Sequence, residues 1–194
     1  MEPRTRGRVP SDDDGGVMRI VLAGFMGTGK SAVGRLIAER RGVPFVDLDK
    51  WIEERAGMPV REIFAQRGED EFRSIEKRVV RDASNLDDAV IAAGGGAVID
   101  DENRETLAGG GLMVCLLARP EVVASRVASV VEERPLLAGH DDLVGRIREL
   151  QAERASAYAR IRNQVDTSDL AVEAVAAAVE RLVGEIEDGK GASS

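Results

Sequence analysis

From Arg19 onward, short apolar runs alternate with longer stretches in which apolar residues recur every three or four positions. The runs at 19–23, 44–47, 89–93, 112–117 and, more weakly, 163–166 are each bounded by turn residues, which predicts five buried strands. Helical spacing fills the intervals. It is clearest near the C-terminus, where Val175, Val179, Leu182 and Ile186 fall at i, i+4, i+7 and i+11 and make one apolar stripe. The interval 49–85 is also helix-like throughout, with Ile63 and Phe64, then Phe72, Ile75 and Val79 at helical spacing, and it is longer than a simple crossover. Strands alternating with helices predict an α/β fold, a five-stranded parallel sheet flanked by helices. In such sheets ligands gather beyond the carboxyl ends of the strands, so the residues that follow each strand carry the functional reading.

Directly after the first strand stands Gly24-Phe-Met-Gly-Thr-Gly29-Lys30-Ser31, and helical spacing begins at Ala32 and runs to Arg41. The G-x-x-x-x-G-K-[ST] pattern between strand and helix is a phosphate-binding loop: its glycines let successive amides turn inward, and the helix N-terminus adds positive potential. Lys30 would reach the β- and γ-phosphates and Ser31 would ligate Mg²⁺. Such a loop implies a nucleotide and leaves kinase, GTPase, motor and inactive binding module open; the chain has no Asn-Lys-x-Asp, which disfavours a GTPase.

The second strand ends at Asp47-Leu-Asp49. If the strand continues through them, the two carboxylates point in different directions and have different tasks. One can hold a magnesium-bound water beside Ser31, and the other can orient an acceptor hydroxyl; the plainer alternative is that they cap the following helix.

Composition narrows the partners. The chain has 194 residues and a formal net charge of −8, which suits one domain and disfavours a nucleic-acid or anionic-membrane binder. No apolar run approaches the about 20 residues needed to cross a bilayer. The single cysteine, Cys115, lies inside an apolar run, so a buried thiol and a reducing, cytoplasmic setting are expected. Residues 1–17 read as a disordered extension, 18–187 as one domain and 188–194 as a solvated tail. His140, the only histidine, has no carboxylate or metal spacing around it and is left out of the chemistry.

Several motifs occur together in one order: GFMGTGKS, FVDLD followed by WIEE, EFRSIE, AAGGGAV, RPLL and QAERASAYAR. In this combination the chain resembles the shikimate kinase family across roughly residues 18 to 182. The resemblance implies a P-loop fold of the nucleoside-monophosphate-kinase-like type, with a helical substrate-binding insertion at about 49–85 and a lid at about 129–141. It implies ATP and shikimate as substrates, Mg²⁺ with the nucleotide, and a monomer. Gly27, Thr28, Gly29, Lys30, Ser31, Ala32 and Arg134 are expected to bind ATP. Asp49, Arg73, Gly95 and Arg154 are expected to bind shikimate, the two arginines gripping its carboxylate as guanidinium forks. Lys30, Asp49 and Arg134 would be catalytic, with Asp49 as base, and Asp47 would support magnesium through water. A lone helical arginine such as Arg73 would otherwise read as a solvated side chain paired with Glu76 at i+3.

The chain departs from the family pattern at Ala32, where a second hydroxyl residue is common, at Ser129-Val-Val-Glu-Glu133, which lacks glycines before Arg134, and after Thr167, where Ser168-Asp-Leu170 offers no basic residue to adenine. The alternatives are a kinase for another polyol acid such as gluconate, which would not need the paired arginines, and a silent nucleotide-binding module.

Overall fold

Six buried residues, Arg19–Gly24, form the central strand β1. The computed structural model describes residues 18–134 and 136–191, so the expected N-terminal extension, Pro135 and residues 192–194 lie outside the described residues. β2 (Phe45–Asp47), β3 (Val90–Ala92), β4 (Gly111–Leu117) and β5 (Asn163–Asp166) complete a five-stranded sheet in the order β2-β3-β1-β4-β5. Every pairing is parallel, as the apolar runs predict.

Successive side chains of a strand point to opposite faces, so β1 feeds two cores. Ile20 and Leu22 pack with Val90, Leu112, Val114 and Leu116 beneath α1 (Lys30–Arg41) and the last helix, α7 (Val172–Gly191). Val21 and Ala23 join Val46, Ile91, Met113 and Cys115 in a larger core on the other face. That second core is covered by α2 (Leu48–Ala56), α3 (Val60–Ser84), α4 (Asp101–Ala108), α5 (Pro120–Val127) and α6 (Leu143–Ala159). The stripe on α7 lies where its spacing puts it: Val175, Val179 and Val183 are buried. The helical backbone of α7 runs on through residues 188–191, into the expected tail; a glycine weakens a helix without stopping it.

The helix-like interval 49–85 is two helices joined near Pro59, and α3 is itself interrupted at Gly68, whose φ of 80° and ψ of 174° break the helical path. Its two halves, 60–67 and 69–84, make a broken arm packed on the core through Ile63, Phe72, Ile75 and Val79. Between α5 and α6 lies a 3₁₀ helix, Ala128–Glu133. Val130 and Val131 pack against the core, so the segment that lacks glycines is anchored by apolar contacts. Beyond it Leu137 is fully buried, a second apolar anchor in this segment.

Candidate active site

The turn after β1 must be glycine for steric reasons: Gly24 has φ 129°, and a Cβ there would strike the carbonyl of Leu116 on β4. Gly29, at φ 95°, is the N-cap residue of α1, so the amides of Lys30 and Ser31 open the helix. Gly27 and Thr28 complete the curl; the Thr28 hydroxyl is buried and donates to Phe25 O (2.8 Å), which leaves the backbone to meet a ligand. Ala32 is exposed in the first turn of α1. Lys30 Nζ donates to the loop's own carbonyls, Gly24 O at 2.9 Å and Phe25 O at 2.8 Å. Burial lowers the Lys30 pKa to about 8, with Asp49 and Asp47 opposing that fall and Arg134 adding to it.

β2 stops at Asp47 and α2 starts at Leu48, so the two aspartates do not alternate on a strand. They separate all the same. Asp47 occupies the N-cap position of α2 without capping it; its Oδ2 instead accepts from Ser31 Oγ at 2.8 Å. Asp49, in the first turn of α2, turns toward Lys30 and the loop after β3, and burial raises its pKa despite the attraction of Lys30.

That loop, Gly94-Gly-Gly96, gathers the rest. A Cβ on Gly94 would lie 2.4 Å from Asp49 Oδ1, one on Gly95 would lie 3.6 Å from Arg154 Nη1, and one on Gly96 would lie 3.2 Å from Arg73 Nη1. Gly95 also lies against the phosphate loop, with its would-be Cβ 3.5 Å from Met26 N. Three successive glycines thus face the acid, one arginine and the other, and a side chain would crowd Asp49 at Gly94 and Arg73 at Gly96. Arg73 is held by Glu76 Oε2 (2.8 Å) and Glu69 Oε1 (3.2 Å) and stacks 5.2 Å over the Phe72 ring. The pairing with Glu76 expected for an ordinary helical arginine is present, and it holds the half-exposed guanidinium beside Gly96. Glu76 itself is only 2% exposed; burial raises its pKa and the Arg73 hydrogen bond opposes the rise. Arg154 reaches the same loop from α6, with Nη1 3.5 Å from Gly95 O and Cζ 5.3 Å over the Phe25 ring.

Arg134 terminates the 3₁₀ helix, and its charge acts on both Lys30 and Asp49. The phosphate loop, Asp47, Asp49 and Gly95 therefore lie along the carboxyl edge of β1, β2 and β3, Arg73 and Arg154 reach that edge from α3 and α6, and Arg134 lies at the end of the 3₁₀ helix. His140 is exposed outside this group, and Cys115 is buried with its thiol pushed up to about 11 by burial.

Some supporting residues were not among the expected site residues. The Tyr158 hydroxyl donates to Gly95 O at 2.8 Å, and its place four residues after Arg154, on the same helical face, is the signal that could have found it. Arg126 donates to Gly27 O (3.3 Å) and to Thr167 O (2.7 Å), while the Thr167 hydroxyl donates to Thr28 O (3.1 Å). These contacts tie the phosphate loop to the end of β5. The segment beyond Thr167 is clasped by a two-pronged Arg119–Asp169 pair, at 2.7 and 2.6 Å, and by Ser168 Oγ, which accepts from Arg119 N.

A phosphate loop facing a glycine run that gathers an acid and two arginines is the geometry the motifs implied. The family model described as Shikimate kinase matches residues 26–184. The chain belongs to the shikimate kinase family. The shikimate kinase of Caldanaerobacter subterraneus subsp. tengcongensis is 46% identical over 162 residues, 84% of this chain and 94% of that protein. That of Geobacter sulfurreducens is 42% identical over 177 residues, 91% of this chain and 94% of its own length. Among solved structures, the shikimate kinase from Acinetobacter baumannii in complex with shikimate superposes with a TM-score of 0.81 at 32% identity, covering 87% of this chain and 94% of that one. A P-loop fold and an ATP-dependent kinase activity go with membership of this family.

Proposed function

We propose that the chain transfers the γ-phosphoryl of ATP to the 3-hydroxyl of shikimate, giving shikimate 3-phosphate and ADP on the route to chorismate and the aromatic amino acids. The observation that carries this reading is the glycine run, whose three members lie against Asp49, Arg154 and Arg73 in turn. Two guanidinium groups beside adjacent glycines suit a planar carboxylate, and Asp49, next to them and within the field of Lys30, suits a hydroxyl bound on the same ring.

In this reading Arg73 and Arg154 fix the carboxylate end of the acceptor and the Gly95 amide contacts its ring. Asp49 accepts a hydrogen bond from the attacking hydroxyl and takes its proton as the new P–O bond forms. Lys30 leaves the loop carbonyls for the β- and γ-phosphate oxygens, joined by the amides of residues 27–32. Arg134, delivered from the lid, neutralises charge on the transferred group and keeps water out. A loose transition state asks more for alignment than for a strong base, so Asp49 acts chiefly by orientation. The Ser31 hydroxyl and the Asp47 carboxylate, 2.8 Å apart at the loop, are hard oxygen donors that fit Mg²⁺, Ser31 directly and Asp47 through water. Bound there, the ion would offset the negative charge of the phosphates. A lone buried cysteine suits the reducing cytoplasm, where we place the chain, as a monomer.

A coupled ADP-release assay with Mg-ATP and shikimate, gluconate or no acceptor tests the proposal. Shikimate-dependent turnover, abolished in Lys30→Ala and Asp49→Ala, is expected. Turnover with gluconate alone would overturn the roles of Arg73 and Arg154, and ATP binding without turnover would leave only a nucleotide-binding module.

A further inference from the structure

Helix α3 has two charged faces beyond Gly68. Glu69, Arg73 and Glu76, at i, i+4 and i+7, look toward the glycine run. Glu71, Ile75 and Arg78 repeat that spacing two residues later, about 200° around the helix, and so look away from it. On this far side Glu71, Ile75 and Arg78 line a cleft of about 270 Å³ together with Arg55 from α2 and Arg67, the last residue before the Gly68 interruption.

Three arginines around one cleft stand out on a chain whose net charge is −8. Their partners leave capacity unused. Arg67 is exposed and reaches only the carbonyl of Ala56 at the end of α2, at 3.4 Å. Arg78 stands 3.9 Å from Glu71, beyond hydrogen-bond distance, and its Nε donates to Ser74 O. Arg55 is paired with Asp82, and both side chains are nearly half exposed. Counting Glu71 and Asp82 against the arginines leaves one net positive charge, with several guanidinium N–H groups still available. The buried Ile75 forms an apolar floor.

We propose that this cleft is a second anion site that takes a phosphate group, free or carried on a small ester whose carbons rest on Ile75. A tetrahedral oxyanion accepts from forks on three sides, and here the forks come from α2 and from both sides of the Gly68 break. A bound phosphate would therefore pin the joint of the arm that presents Arg73.

The test is an NMR titration of the arginine Nε–Hε signals with inorganic phosphate, and in parallel with glycerol 3-phosphate, at constant ionic strength. The full chain is saturated with Mg-ADP so that the phosphate loop is filled. Saturable shifts of Arg55, Arg67 and Arg78 with a common Kd are expected for one or both compounds, and tighter binding of the ester would assign the carbon body to the floor. The Arg67→Gln/Arg78→Gln double variant, with Mg-ADP affinity unchanged, should weaken that Kd about tenfold or more through loss of two charge-assisted contacts. Shifts no larger than an equal ionic strength of chloride produces, or saturable shifts confined to Arg134 and Arg154, would overturn the proposal.

Discussion

Replacing Gly94 by alanine adds a single methyl group where the acid is closest to the glycine run. The new Cβ would stand 2.4 Å from Asp49 Oδ1, whereas ordinary contact begins at 3.4 Å, so the carboxylate must retreat by about 1 Å. Gly94 is not among the glycines with positive φ, so the backbone accepts alanine without strain, and the obstructed atom is the tip of a side chain that can swing. The fold should therefore survive while the base moves. A displacement of that size in a group whose work is alignment costs on the order of 100-fold in rate. The coupled ADP-release assay should show kcat for shikimate down about 100-fold, equivalent to about 2.7 kcal/mol, with the thermal midpoint and the Kd for Mg-ADP near wild type. A kcat within about threefold of wild type would refute the placement of Asp49 as the group that orients the hydroxyl.

Lys30 gives a pH dependence. Its pKa of about 8 in the free chain lies below the ordinary 10.5, so in that window the folded chain binds fewer protons than the unfolded one, and this group's cost to stability is relieved as pH rises from 8 toward 10.5. Phosphates favour the ammonium, so Mg-ADP binding at pH 8.5 should take up a proton and weaken toward about tenfold per pH unit above 8. Calorimetry in buffers of different ionisation enthalpy measures the uptake, and a wild-type chain with none, matching Lys30→Met, would sink the argument. Glu76→Gln, which keeps the shape but removes the buried charge that aims Arg73, should raise the KM for shikimate about tenfold and leave the KM for ATP unchanged. Equal rises in both would show a general disturbance of the fold instead.

The central strands were legible because buried parallel strands are continuous apolar runs, and Leu112–Leu117 can be little else in a chain with helical spacing on either side, whereas β5, expected to be buried, alternates half-buried and exposed residues. The end of β2 was not. Asp47 and Asp49 look like alternating strand residues until the chain turns helical at Leu48, and that turn is set by packing of Leu48 and Ile52 into the core, which no local signal declares. The residues of the site were readable as motifs, but their convergence was not: Arg73 and Arg154 lie 81 positions apart and meet only because Gly95 and Gly96 admit both guanidiniums. Glu76 was legible as the i+3 partner of Arg73, whereas Tyr158 and Arg126 act by contacts across the fold, on Gly95 O and on Gly27 O and Thr167 O, which leave little trace in one dimension.

The two halves of the site are prepared to different degrees. On the acceptor side the charged groups already have their directions: Arg73 is clamped by Glu69 and Glu76, Arg154 lies over Phe25, and Tyr158 pins the Gly95 carbonyl. Little side-chain entropy remains to be lost when a carboxylate arrives. On the donor side Lys30 is bonded to the carbonyls of Gly24 and Phe25, and Ser31 to Asp47, so a nucleotide must take these donors from partners they already have. The exchange favours the phosphates, because an oxyanion is the stronger acceptor, yet it carries the cost of reorganising the loop. Removing Lys30 from beside Asp49 also withdraws the charge that opposes the raised pKa of that carboxyl. Lys30 would go on favouring the ionised form of Asp49, the form that can accept a proton, only if it stays within reach of that carboxylate while bonded to the phosphates. With that contact kept, the two proposed substrates would be electrostatically coupled through the Lys30–Asp49 pair.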